Sequence, residues 1–156
     1  MRLLIQRVRE ASVTVAGERV AAIGPGLLVL AGFGTKDGPE LPGSRVWSTL
    51  IEKMVGMRIF QDDAGKMNLG IEDVGGEILL VSQFTLYADC RKGRRPSFHP
   101  ACDPSIAADL YAALVQAVEK RLPGRVQQGI FAADMDVALT NWGPVTIMLD
   151  SEEFSD

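Results

Sequence analysis

Residues Leu3–Val8 are apolar and β-prone, and Ser12–Val15 alternates polar with apolar positions. Arg19–Ile23 resumes the pattern after Ala16-Gly17-Glu18. Two such runs around a short turn predict a hairpin. Gly24-Pro25-Gly26 punctuates the chain, and Leu27–Phe33 follows as a nearly continuous apolar run. That run predicts a strand covered on both faces. Gly34–Gly43, rich in Gly and Pro, predicts a loop. Ser44–Met54 then sets Val46, Trp47, Leu50, Ile51 and Met54 at helical spacing, with Ser44 as N-cap. Met57–Phe60 predicts a short strand, Asp62–Gly65 a turn, and Ile78–Phe84 a second strongly β run.

Pro104-Ser105 opens the clearest helix. Its apolar stripe is Ile106, Ala107, Leu110, Tyr111, Leu114, Val118 and Leu122, and Pro123-Gly124 ends it. Val126–Phe131, Met135–Asn141 and Val145–Leu149 predict three closing strands. Strands, helix, strands, helix, strands make one mixed α/β domain with a strongly curved sheet or two layers.

Composition narrows the class. The chain of 156 residues is 47% apolar and 23% charged, values of a globular protein rather than a disordered one. Its net charge of −4 excludes attraction to nucleic acid or anionic lipid by bulk charge, so any such contact needs a local patch. The apolar runs are too short for a membrane span, and the N-terminal run is too short for a signal peptide. A cytoplasmic protein without membrane contact is expected. Cys90 and Cys102 are the only cysteines and His99 the only histidine. No metal-ligand spacing and no nucleotide-loop motif occur.

Three segments are candidates for chemistry. Ser82-Gln83-Phe84-Thr85-Leu86 lies where a buried strand emerges, and it gathers hydroxyl and amide groups. Strand ends often carry sites, but a strand end satisfying its own backbone is the commoner case. Arg91, Lys92, Arg94 and Arg95 place four of the sixteen basic residues within five positions. Guanidinium forks match phosphate oxygens, although a solvated loop balancing Asp89 accounts for the same pattern. Asn141-Trp142-Gly143-Pro144-Val145-Thr146 sets a Gly-Pro pair between strand-like runs, as Gly24-Pro25 does, and spacing does not separate the two. His99 has no carboxylate within three residues to orient it and reads as a surface histidine.

The chain resembles the D-aminoacyl-tRNA deacylases from Met1 to about Ser151. Both signature motifs match, Ser82–Leu86 and Asn141–Thr146, as do the N-terminal Ile5-Gln6-Arg7-Val8 and Arg94–Phe98. The resemblance implies one compact domain over residues 1–151, with 152–156 as an acidic tail. Its fold would be α/β in three layers, with curved, barrel-like β layers flanked by two helices. It implies a homodimer that hydrolyses the ester between a D-amino acid, or glycine, and the 3′-terminal adenosine of tRNA, with no metal or cofactor.

Ser82, Gln83, Phe84 and Thr85 would form the catalytic wall, and N–H groups near Phe84 and Thr85 would hold the oxyanion. Phe131 and Met135 would line the adenosine pocket. Gly143-Pro144, cis and braced by Arg7, would reject L-amino acids in the partner's pocket. The basic loop Arg91–Arg95 is assigned to tRNA phosphates from charge alone. Thr85 as a covalent nucleophile, a non-catalytic tRNA-binding module and a general small-ester hydrolase are the alternatives. Two departures fall on the rim: Ala132-Ala133 where the family commonly has Gly-Ala, and Trp142 where it has a small or acidic residue.

Overall fold

The computed structural model describes residues 1–154. Strand β1 (Arg2–Val15) is the spine. Along one edge, its second half pairs antiparallel with β2 (Glu18–Ile23) and its first half with β3 (Gly26–Gly32). The predicted hairpin is therefore present, with Gly24-Pro25 breaking its return arm into two strands. Along the other edge β1 pairs with β8 (Asp136–Asp150) over nearly its whole length. β6 (Glu77–Ser82) joins β3 in parallel, and β7 (Val126–Gln128) joins β6 in parallel. The parallel pairs require crossovers. Helix α1 (Arg45–Gly56) and the separate two-stranded ribbon of β4 (Phe60–Gln61) and β5 (Met67–Leu69) fill the first, and α2 (Pro104–Arg121) the second.

Both faces of the sheet are covered, as the apolar run of β3 predicts. Leu27, Val29 and Ala31 point into a core shared with α1 and α2. Leu28 points to a second core with Val8, Val13, Ile23, Leu79 and Val81. That second core lies inside the curled sheet, where β2 comes against β6 and β7. The result is the three-layer, barrel-like arrangement.

Helix ends follow local chemistry. The Ser44 hydroxyl accepts from Trp47 N–H at 3.2 Å, and Asp103 accepts from Ser105 N–H at 2.9 Å. Several predicted boundaries move. Of Met57–Phe60 only Phe60 is strand. β6 ends at Ser82, because Gln83 makes the last ladder bond to Ala31 and then turns; Phe84–Tyr87 is a 3₁₀ turn instead. β7 stops at Gln128, beyond which only Gly129 N–H still reaches Leu80. The two closing strands are one, β8, carrying a bulge. Ser151–Glu153 forms a 3₁₀ turn with Ser151 buried, and the rest of the predicted tail, Ser155 and Asp156, lies outside the described residues.

Candidate active site

Gln83 leaves β6 and folds the chain back over β3. Gly32 permits this: a Cβ there would lie 2.7 Å from the Gln83 carbonyl and 3.1 Å from Leu86 Cβ. The turn opens with Phe84 and Thr85, whose backbone N–H groups donate to no acceptor among the described residues. Such leading N–H groups of a helical turn are free to bind an anion. The Gln83 side-chain amide donates to Thr85 Oγ1 at 2.5 Å. Thr85 is exposed, and its hydroxyl forms no hydrogen bond with a histidine or lysine among the described residues. Phe84 is 55% exposed and meets Phe98 edge-on at 5.0 Å.

A cavity of about 760 Å³ opens beside this turn. Ser82, Gln83 and Phe84 form one wall, Phe131 and Met135 another, and Phe98, His99 and Asp103 the rim. Five predicted site residues thus meet in one place. Phe131 is set by a tilted contact with Tyr111 at 6.0 Å, and the buried Tyr111 hydroxyl donates to Leu80 carbonyl at 2.9 Å. Burial pushes the Tyr111 hydroxyl up to about 12. Met135 packs over Gly129, where a Cβ would come within 2.8 Å of its sulfur. Ala132 has a left-handed φ of 60°, which favours glycine and gives the departure from Gly-Ala a physical content.

Thr85 is not among the lining residues, and the sequence reading gave no role to Phe98, His99 or Asp103, which are. His99 is a surface residue, as expected, yet stands on the cavity rim. The available signal was its position just after the matched Arg94–Phe98 motif. Among the described residues no group of three or more His, Cys, Asp or Glu side chains is placed to hold a metal ion. No helix among them is long and apolar enough to cross a membrane.

The basic loop hangs from the same rim. Asp89 and Ser97 exchange backbone hydrogen bonds at 2.7 and 2.9 Å and pinch its base. Arg91 is committed to Asp89, donating to both carboxylate oxygens, which holds Asp89 down at about 2. Lys92, Arg94 and Arg95 are exposed and form no ion pair among the described residues.

Gly143-Pro144 lies elsewhere. It lines a separate cavity of about 520 Å³ that shares no residue with the first. In the β1–β8 ladder Gln6 faces Thr146 and Val8 faces Asn141, so Trp142–Val145 bulges out opposite Arg7 alone. The Asn141 side chain closes the base of the bulge. Its Oδ1 accepts from Val145 N–H at 2.7 Å, and its Nδ2 donates to Val145 carbonyl at 3.1 Å and Thr146 Oγ1 at 3.0 Å. The Gly143-Pro144 bond is cis. Gly143 has φ 142°, and a Cβ on it would lie 2.9 Å from Arg7 Nη2.

Arg7 is 2% exposed and has no carboxylate partner among the described residues. Its Nε donates to Trp142 carbonyl at 2.7 Å and its Nη1 to Ile59 carbonyl. Burial, and then Arg9, push its pKa down.

The profile of the family described as D-Tyr-tRNA(Tyr) deacylase matches residues 4–150. The chain is 58% identical over 153 residues to a D-aminoacyl-tRNA deacylase of Solidesulfovibrio magneticus, covering 98% of this chain and 97% of that protein. It is similar to the solved structure of a c-Myc DNA Unwinding Element Binding Protein, at 38% identity and TM-score 0.86, with 96% and 98% of the two chains covered. A probable eukaryotic D-amino acid tRNA deacylase shares the fold at 19% identity and TM-score 0.82, over 95% and 97% of the two chains.

Proposed function

The chain belongs to the D-Tyr-tRNA(Tyr) deacylase family, and from that premise we propose that it hydrolyses the ester of D-aminoacyl-tRNA, and of glycine mischarged on tRNA. The observation that carries the reading is the pair of N–H groups at Phe84 and Thr85, without an acceptor among the described residues, beside a cavity walled by Ser82, Gln83, Phe131 and Met135. An aminoacyl ester is already activated. Positioning it and stabilising the oxyanion supply most of what the reaction needs. The ester carbonyl oxygen would sit against the two N–H groups. The Gln83 amide would fix Thr85, and the substrate's terminal ribose hydroxyl would help activate water. The apolar faces of Phe131 and Met135 would pack on the adenosine. The reading assigns no step to a metal.

Gly143 and Pro144 of the partner subunit would complete the pocket. Their carbonyl oxygens would hold the substrate's ammonium group, and their bulk would occupy the volume an L side chain needs. The homodimer and the cytoplasmic location, where charged tRNA is found, belong to this reading. Lys92, Arg94 and Arg95 would meet tRNA phosphates. The likeness to a DNA Unwinding Element Binding Protein at 38% identity favours a second reading, a nucleic-acid-binding module without turnover.

The test is deacylation of matched D- and L-aminoacyl-tRNAs by the pure protein. The expected result is rapid hydrolysis of the D-ester and of glycyl-tRNA, with the L-ester spared. Binding without turnover would favour the second reading. Equal hydrolysis of free amino-acid esters would point to a general esterase.

A further inference from the structure

We propose that Arg9, acting through the Trp142 ring, is a positioning residue for the Gly143-Pro144 loop and so for discrimination between D- and L-substrates. The inference rests on the reading of that loop as the chirality filter.

Arg7 and Arg9 flank Val8, which enters the second core, and the β1–β8 register shifts between Val8 and Glu10, so Arg9 stands at an irregularity of the strand. Both guanidinium groups lie over one indole, Arg7 at 4.7 Å and Arg9 at 4.6 Å from the Trp142 ring centroid. Phe60 meets the same ring edge-on at 6.3 Å. Two like charges thus converge on one side chain. No carboxylate lines their cavity, and neither arginine forms an ion pair among the described residues. Proximity to Arg9 works against the Arg7 charge. The indole's electron-rich face offsets that repulsion for both groups, beside the two carbonyls that accept from Arg7.

The consequence falls on the loop. Trp142 immediately precedes Gly143 and is the residue whose carbonyl Arg7 holds. Arg7 therefore secures the backbone at Trp142, and the ring contacts secure its rotation. Gly143 is the next pivot, with a backbone conformation that glycine permits and most residues resist. Without Arg9 the indole loses the exposed one of its two arginine contacts, Arg7 being buried. The ring then gains freedom, and the two residues after it gain it too. A filter that works by excluding volume loses selectivity when its position spreads.

The experiment compares hydrolysis of matched D- and L-aminoacyl-tRNAs by the full-length wild type, Arg9→Gln, Arg9→Lys, Trp142→Ala, Trp142→Phe and Pro144→Ala, with thermal unfolding of each. The expected result is a D-to-L rate ratio lowered about three- to tenfold in Arg9→Gln and Trp142→Ala. Arg9→Lys and Trp142→Phe should recover part of it. Arg9 is exposed, so Arg9→Gln reports even where Trp142→Ala fails to fold. A ratio unchanged in Arg9→Gln while Pro144→Ala lowers it would overturn the positioning role and leave the filter standing. A ratio unchanged in Pro144→Ala as well would remove the filter, and the proposal with it.

Discussion

Arg2 donates through Nη1 to the carbonyl of Leu86 at 2.8 Å, tying the first residue of β1 to the turn that carries Phe84 and Thr85. The same guanidinium donates through Nε to Asp150 at 2.7 Å and lies 4.5 Å from the Tyr87 ring centroid. The end of the β1–β8 ladder thus braces the candidate oxyanion site. Arg2→Met keeps the aliphatic stem and removes the charge. It should lower folding stability by about 1 kcal/mol, the group being partly exposed. It should slow D-aminoacyl-tRNA hydrolysis more than Asp150→Asn does, because only Arg2 touches the turn. Urea unfolding and single-turnover rates check this, and equal slowing in both variants would confine the contact to the sheet edge.

Thr85 is expected to position rather than attack. Its hydroxyl accepts from the Gln83 amide, and a neutral threonine with no adjacent base is a weak nucleophile. Thr85→Ala and Thr85→Val should each retain activity within about tenfold of wild type, the cost of one lost hydrogen bond. An acyl-threonine adduct trapped and seen by mass spectrometry would establish the covalent route instead.

The basic loop makes an unequal prediction. Lys92, Arg94 and Arg95 form no ion pair among the described residues, whereas Arg91 is bound to Asp89. Replacing Arg94 and Arg95 together with Gln should shallow the log–log salt dependence of tRNA binding by roughly 1.4–1.8, at 0.7–0.9 per phosphate contact. Arg91→Gln should change it less. Filter binding across a salt series measures both, and an unchanged slope in the double variant would make the loop a solvated charge run.

Stability should fall at both ends of the pH range. Hydrogen bonds hold three carboxylates below their ordinary range: from Lys66 N–H to Asp62, from Arg91 to Asp89 and from the Ser105 hydroxyl to Asp103. Below about pH 4 the unfolded chain takes up protons that the folded one resists, so their contribution is lost as pH falls toward 2. Tyr111 acts in the opposite direction. The unfolded phenol ionises near pH 10 and the buried one at about 12, so stability drops as pH rises through that window. Urea midpoints from pH 3 to 11 should form a plateau with two falling limbs. Tyr111→Phe should make the alkaline one shallower, with Tyr87, whose hydroxyl burial also pushes up, supplying the remainder.

Two alanines sit in left-handed backbone, Ala16 at φ 50° and Ala132 at φ 60°. Ala16 precedes Gly17 in the tight β1–β2 turn, the setting that favours Asn-Gly. Ala16→Asn should raise stability by about 0.5–1 kcal/mol, because asparagine tolerates this conformation without the added chain entropy of glycine. Chemical denaturation tests it, and a loss of stability would show that the turn does not strain Ala16.

Much of this fold is legible along the chain because its signals are local. The alternation of β1, the two-sided apolar run of β3, the Ser44 cap and the stripe of α2 each depend on residues a few positions apart. The motif Ser82–Thr85 is legible as a candidate site for the same reason: a buried strand ends there, and polar groups follow. The errors fall where a distant segment decides. Nothing in Met135–Leu149 says that it is one strand, because its continuity comes from β1, whose Gln6 and Val8 hold the two flanks while Trp142–Val145 loops past Arg7. Phe84 reads as strand until Gly32 of β3 accepts the backbone that folds over it. The sequence by itself determined the main elements, their apolar faces and the residue types of the candidate site. Tertiary structure alone decided that His99 and Asp103 reach the cavity of Ser82 and Met135, that Arg91 is spent on Asp89, and that Arg7 and Arg9 share the ring of Trp142. Periodicity records which face a residue takes, whereas register, bulges and crossovers determine which residue it faces.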